Sequence, residues 1–309
     1  MPKSLSTHFR TVPLLLLSAA VLWGCEEEVT LDFELTKSTL VLSSSFFPNQ
    51  PVILQVSATR PRGSSPVQSI SDATVLLYEG SELAEELKYI PPRESEVAGT
   101  YRTKRFKPQI GHQYTIHVSA PGYDPVSAVS SIPEPVAITN LRVQNLSRTE
   151  VAGEALIDYQ LLIDYEDPEN QINYYDLRIH QMVVPFKINS HGDTLRSQPY
   201  VKSVSTPLYR NAEGRIISLL LQDKGGEAVV NVHLQCRINP GSELLGEVVA
   251  ELRTVSPEYY FYQRSISRPD ELPNSGLRDP VIFFNNVSSG MGVFAGYTSV
   301  QEGLSFTGD

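Results

Sequence analysis

The sequence predicts an all-β protein with two β-sandwich domains, the first of them immunoglobulin-like, and one short helix late in the second. Three observations support this fold class. Apolar and polar residues alternate with period two along much of the chain, Gly, Pro and Asn separate the alternating runs, and long helical periodicity is nearly absent. Such alternation places one face of each strand in a core and the other face in solvent.

The predicted strands follow one another along the chain, and each carries its apolar residues on one face. Strong alternating runs start at Val52, Tyr114, Ile157, Tyr175 and Val248. Turn-forming stretches lie between the runs, at residues 47–51, 121–125, 167–170 and 223–226. Many short strands bounded by such turns are typical of β-sandwiches.

Two prolines one residue apart, Pro133 and Pro135, predict an extended linker, because a central strand cannot continue through them. We therefore predict an immunoglobulin-like domain at residues 35–133 and a second β-rich domain at residues 134–309. The helix is expected to begin after Ser256, a favourable N-cap that Pro257 follows at the first helical position. It is expected to stop before Pro269.

The N-terminus has the features of a secretory signal peptide over residues 1–24. Lys3 and Arg10 precede a mostly apolar run at residues 12–24, which is shorter than the roughly 20 residues that span a bilayer as a helix. The run ends in Leu22-Trp23-Gly24-Cys25, which resembles the bacterial lipobox. This resemblance implies cleavage before Cys25 and acylation of its thiol; the alternative is an ordinary signal peptide with a chance cysteine.

Residues 25–34 are predicted to form an acidic tether behind the lipid. Glu26, Glu27 and Glu28 resemble the surface-export signal of lipoproteins from the Bacteroidota. The resemblance implies a lipid-anchored protein in the outer membrane that faces the medium. A solvated charge run without further meaning is the simpler alternative.

The composition of the chain excludes two classes of binding partner. Cleavage leaves 285 residues (309 − 24), and loss of Lys3 and Arg10 changes the formal net charge from −10 to −12. Such an acidic chain is unsuited to nucleic acid or to attraction by anionic lipid, so membrane attachment is expected from acyl chains alone. The remaining cysteine, Cys236, alternates with Val232 and Leu234 on an apolar strand face and is predicted to be a buried, inert thiol.

Known catalytic, metal and cofactor motifs are absent from the sequence, so we predict no catalysis, no metal and no cofactor. His117, His180 and His233 fall on polar strand faces and are predicted to face solvent. The acidic residues of the 164–169 turn are interpreted as a solvated turn, with a calcium site or a glycosidase carboxylate pair as alternatives.

Two further motifs could carry function. Four successive aromatic residues, Tyr259 to Tyr262, could stack on a sugar, but on a helix at least half of them must pack into the core. Asp193-Thr194-Leu195 is similar to the periplasmic O-glycosylation site of the Bacteroidota, which makes Thr194 a candidate for glycosylation.

Short motifs in a fixed order resemble a Bacteroidota lipoprotein family catalogued as domain of unknown function 4249. They include residues 71–77, 111–114, 167–170, 256–260 and 285–287. The resemblance implies an outer-membrane lipoprotein that is often encoded beside a TonB-dependent receptor, and it implies no catalytic residue.

We therefore expect a non-catalytic accessory or ligand-capture subunit of a TonB-dependent transporter. The alternatives are a free-standing adhesin or glycan-binding lipoprotein and, third, a hydrolase with an unrecognised site.

Overall fold

The structure is a computed structural model that describes residues 38–60, 69–94, 96–206, 217–222, 224–267 and 283–306. Cys25, the predicted signal peptide and the predicted acidic tether lie outside the described residues. Ser38 to Asp309 form one compact unit. The prediction of an all-β protein with one short late helix is confirmed, since the described residues contain nineteen strands and one helix of this kind.

The strands and the helix are numbered in chain order. They are β1 (Leu40–Phe46), β2 (Ile53–Ala58), β3 (Thr74–Glu79), β4 (Glu82–Glu86), β5 (Lys88–Ile90), β6 (Thr100–Arg102), β7 (Gln113–Ser119), β8 (Val126–Ser131), β9 (Ile138–Val151), β10 (Glu154–Asp167), β11 (Tyr174–Ile188), β12 (Thr194–Arg196), β13 (Tyr200–Lys202), β14 (Val204–Ser205), β15 (Ile217–Gln222), β16 (Gly226–Ile238), β17 (Glu243–Val255), α1 (Pro257–Ile266), β18 (Val287–Ser288) and β19 (Met291–Leu304).

Three sheets arise from these strands. The largest has ten strands in the order β12-β11-β17-β19-β1-β2-β6-β5, with β13 and β15 also pairing with β11. A second sheet has the order β14-β16-β10-β9, and a third has the order β18-β8-β7-β3-β4. Long alternating runs in the sequence explain these strands, because residues of opposite character point to opposite faces.

Strand β19 joins the beginning and the end of the chain. It pairs in parallel with β1, with Val41 opposite Met291 and Phe46 opposite Gly296, and antiparallel with β17 on its other side. Parallel neighbours need a long crossover connection, and here nearly the whole chain supplies it. The largest sheet therefore contains strands from both predicted domains.

Two large hydrophobic cores lie along this sheet. One contains buried residues from Leu40 to Ile132 together with Val287 and Phe294, and the other contains residues from Val136 to Leu252. The residues of the two cores thus separate in sequence near Pro133, although β19 contributes to the first core from the far end of the chain. The domain boundaries themselves stay a prediction.

The helix begins where the sequence predicts. The Ser256 side chain accepts a hydrogen bond from the Tyr259 amide at 3.3 Å, Pro257 occupies the first turn, and Glu258 favours the positive end of the helix dipole. Tyr259 and Tyr260 are buried, whereas Phe261 is exposed. The expectation that at least half of the four aromatic residues pack into the core is confirmed.

No helix within the described residues is both long enough and apolar enough to cross a membrane.

Candidate functional site

The outward face of the second sheet is an open surface of polar side chains. Along β10, alternate residues such as Tyr159 and Leu161 are buried in the core, and the residues between them point outward. We call the resulting surface the polar face. The name covers the central side chains of this surface: Asn140, Arg142, Gln144 and Asn145 on β9, Asp158, Gln160, Leu162 and Asp164 on β10, and Asn231, His233 and Gln235 on β16. Val229, which is exposed, lies beside them opposite Asp164, and Glu166 lies opposite Glu227 at the end of the sheet.

Strand register brings these side chains together in rows. Gln160 lies between Gln144 on β9 and His233 on β16. Leu162 lies in the same way between Arg142 and Asn231. Neighbouring strands are about 4.8 Å apart, so side chains in one row are within reach of each other and of a shared ligand.

Hydrogen bonds hold the charged members of the polar face in place. Asp158 Oδ1 lies 2.8 Å from His233 Nε2, and Asp158 Oδ2 accepts a hydrogen bond from Gln235 Nε2 at 2.7 Å. The hydrogen bonds from Gln235 and His233 lower the pKa of Asp158, so the carboxylate stays ionised. Asp164 accepts two hydrogen bonds from Arg142 Nη2, at 2.9 and 2.7 Å.

The charge of this surface is small. Among the eleven side chains of the polar face, one arginine and two aspartates leave a formal charge of −1 when His233 is neutral, and six side chains are amides. The carboxylates of Glu166 and Glu227 lie outside this set, at the end of the sheet. Amide groups donate and accept hydrogen bonds without carrying charge. The polar face is therefore suited to a neutral polar ligand.

A second polar cluster lies on the outward face of the largest sheet, beside α1. We call Asp176, Arg178, Glu251 and Arg253 the charge network. In register, Asp176 lies opposite Arg253 and Arg178 lies opposite Glu251. Arg178 Nε donates to Asp176 at 2.9 Å, and Arg253 Nε donates to Glu251 at 2.6 Å.

The charge network ties the helix to the sheet. Tyr259 of α1 donates to Asp176 at 2.8 Å and accepts from Arg178 Nη2 at 3.0 Å. Burial is the largest influence on Glu251 and would raise its pKa. The nearby imidazole of His180, hydrogen bonds from Arg253 and Ser299, and the charge of Arg253 nevertheless lower that pKa to about 2. The network is thus a set of satisfied ion pairs with a structural role.

Sequence reasoning missed the charge network, although a signal for it exists. The patterns Asp176-Leu177-Arg178 and Glu251-Leu252-Arg253 place opposite charges two residues apart, and such residues share one face of a strand. Only the pairing of β11 with β17 brings the two patterns together.

The acidic turn differs from its prediction at Asp167. This side chain is 1% exposed and accepts hydrogen bonds from Tyr175, from Asn173 and from the backbone amides of Lys224 and Gly225. The prediction of a solvated turn is therefore wrong at Asp167. The carboxylate of Asp167 is buried because its hydrogen bonds connect the β10–β11 turn to the start of β16. No group of three or more potential metal ligands occurs within the described part of the chain.

The histidines also differ among themselves. His117 is exposed, as predicted, and His233 lies half-exposed on the polar face. The side chain of His180 is only 20% exposed, and its Nε2 lies 3.4 Å from Glu251 Oε2. The prediction that His180 faces solvent is wrong, because neighbouring strand β17 brings a buried carboxylate beside it.

Two further predicted residues have defined positions. Cys236 is buried, which confirms the predicted core thiol, and burial raises its pKa to about 11. Thr194 is exposed at the start of β12, where it pairs with Ile188 of β11. An exposed hydroxyl is accessible for modification, and Thr194 as a glycosylation site stays a prediction.

The fold and these surfaces define an all-β protein of packed sheets with an open polar face. The chain matches the family described as Domain of unknown function (DUF4249) over residues 26–302, and it belongs to that family. This membership confirms the resemblance found in the sequence. No curated protein matches the chain significantly.

Proposed function

We propose that the chain is a non-catalytic lipoprotein, anchored in the outer membrane through Cys25 and exposed at the cell surface. It serves as an accessory, ligand-capture subunit of a TonB-dependent transporter. The observation that carries the proposal is the sequence Leu22-Trp23-Gly24-Cys25, followed by three glutamates. The transporter partnership is what the sequence resemblance implies, and the chain is a member of the family that it resembles.

Three buried carboxylates are hydrogen-bonded within the protein, and this supports a binding function in preference to catalysis. Asp167, Asp176 and Glu251 are buried, and each accepts several hydrogen bonds from the protein. A general acid or base must instead reach a proton of the substrate. The polar face is open to solvent, so the accessible polar chemistry of the second sheet is that of a binding surface.

The distance between the anchor and the fold supports action close to the membrane. Residues 26–37 separate Cys25 from Ser38, the first described residue. A stretch of this length spans at most about 45 Å. The folded part of the protein would therefore stay near the mouth of a partner in the same membrane.

Substitution of Cys25 by Ala tests the anchor. We expect Cys25→Ala to abolish labelling by a radioactive or alkyne-tagged palmitate and to remove the protein from the outer-membrane fraction. Cys236→Ala is the matched control, because this thiol is buried and should leave labelling unchanged. Persistent labelling of the Cys25→Ala protein would contradict the proposal.

Co-purification tests the partner. Mild-detergent extraction of the tagged lipoprotein from its native host should recover a large β-barrel receptor. Repeated recovery of the lipoprotein alone, combined with binding to glycans, would instead support a free-standing adhesin or glycan-binding lipoprotein. The open polar face is the observation that favours this second candidate.

A further inference from the structure

We propose that the polar face binds a neutral oligosaccharide, with its chain lying across β9, β10 and β16. This inference rests on the proposed capture function and names the chemical class of the captured ligand. It assigns the contact residues to one sheet face, with Gln160 and His233 near its centre and Asn231 beside them.

The chemistry of the side chains matches a hydroxyl-rich ligand. Each sugar hydroxyl both donates and accepts hydrogen bonds, as the six amides of the polar face do. Charged donors and acceptors of both signs stand among them, and hydrogen bonds to charged groups are the stronger ones. Leu162 places an apolar side chain in the middle of this surface, where the C–H face of a sugar ring can pack.

Internal hydrogen bonds orient these groups before any ligand arrives. Asn145 Nδ2 donates to Gln160 Oε1 at 3.0 Å, so the amide nitrogen of Gln160 remains as a donor. Gln235 donates to Asp158, so the amide oxygen of Gln235 remains as an acceptor. Side chains that are already ordered lose less conformational entropy when they bind a ligand.

The dimensions suit several sugar rings. From Asp158 to Asp164 the strand covers about 20 Å, and the three strands add a width of about 10 Å. A sheet face of this size presents a broad surface, which fits an extended chain better than a single small molecule.

Other ligand classes fit less well. Asp158 and Asp164 repel polyanions such as nucleic acids and acidic polysaccharides. An added peptide strand binds at the edge of a sheet through its backbone, whereas these groups project from the face.

Affinity gel electrophoresis of the mature chain tests the inference. The probes are four neutral polysaccharides, namely soluble starch, xyloglucan, galactomannan and yeast mannan, with polygalacturonate as the anionic comparison. We expect at least one neutral probe to retard the protein. Gln160→Ala/His233→Ala should weaken that binding about tenfold or more, because two hydrogen-bonding side chains are lost.

The control variant replaces one glutamine and one histidine by alanine on another sheet. Gln113 and His117 are exposed on β7, so Gln113→Ala/His117→Ala should bind like the unchanged protein. Asn231→Ala is a second test variant, since Asn231 is exposed and its side chain makes no hydrogen bond within the described part of the chain. Thermal unfolding of each variant shows whether a loss of binding reflects a loss of folding.

Three results would overturn the inference: no retardation by any neutral probe, retardation by polygalacturonate alone, or retardation that both test variants retain. Recovery of the receptor in the co-purification experiment is a separate measurement. A receptor recovered with a chain that binds no glycan would reject this inference and leave the proposed transporter role intact.

Discussion

At the scale of single residues, the least expected feature is a buried carboxylate that remains ionised. The side chain of Glu251 is 7% exposed, yet it keeps its charge because Arg253 and Ser299 donate to it and His180 lies beside it. A buried charge without such partners would be strongly destabilising. Glu251 therefore depends on a residue of its own strand, β17, and on residues of the two neighbouring strands, β11 and β19.

Substitution of Glu251 by Gln measures this dependence. We expect Glu251→Gln to lower the free energy of unfolding at pH 7 by about 3 kcal/mol, because Arg253 loses its buried partner. Urea-induced unfolding provides the measurement. Glu302→Gln is the control, since Glu302 is exposed on β19 and its change should stay within about 0.5 kcal/mol.

The pH dependence of the same variant adds a second readout. The pKa of Glu251 is lowered in the folded state from an ordinary value of 4.5 to about 2. Its stabilising effect is therefore complete above about pH 4.5 and is lost as the pH falls toward 2. The difference between the unchanged protein and Glu251→Gln should shrink over this interval, and a difference independent of pH would contradict the assignment.

At the scale of elements, the parallel pairing of β1 with β19 requires one glycine. Gly292 has a φ of +111°, and a Cβ at this position would overlap the backbone carbonyl of Leu42. The first residues of β19 can thus approach β1 only if residue 292 has no side chain.

Substitution of Gly292 by Ala separates this close approach from backbone strain. Gly122 has a φ of +82° with open space around it, so Gly122→Ala introduces strain alone and should destabilise the protein by about 1–2 kcal/mol. Gly292→Ala adds a backbone collision and should destabilise it by clearly more, as thermal or urea unfolding would show. Equal effects of the two substitutions would contradict this expectation, because they would mean that a small shift of β19 relieves the collision with little loss of stability.

At the scale of the whole molecule, the last strand completes a core that the first third of the chain begins. Phe294 stacks on Phe46 with ring centroids 4.4 Å apart, and Val287 packs into the same core. The core around residues 35–133, the region predicted as the first domain, therefore also contains residues from β18 and β19.

A fragment of residues 26–133 tests this interdependence. We expect the fragment to lack cooperative unfolding and dispersed amide NMR signals, because it loses Phe294, Val287 and the neighbour of β1. The chain of residues 26–309 is the control. A fragment that unfolds cooperatively would show that the first predicted domain folds without the C-terminal strand.

Much of the local structure was predictable from the sequence. The alternating runs determined the strands, the sequence Ser256-Pro257-Glu258 determined the start of α1, and the apolar register of Cys236 determined its burial. These features depend on residues that are near in sequence, so side-chain periodicity and capping are enough to specify them.

Only the tertiary structure decided which strands are neighbours and therefore which polar side chains meet. The burial of Asp167 and His180, the charge network and the rows of the polar face all join residues that are distant in the chain. Alternation predicts which face of a strand is polar, but it does not predict which other strand lies beside that strand. The sequence by itself determined the fold class, the helix start and the family to which the chain belongs. The tertiary structure determined which polar groups became internal ion pairs and which remained open to solvent, because burial and pairing depend on contacts between strands.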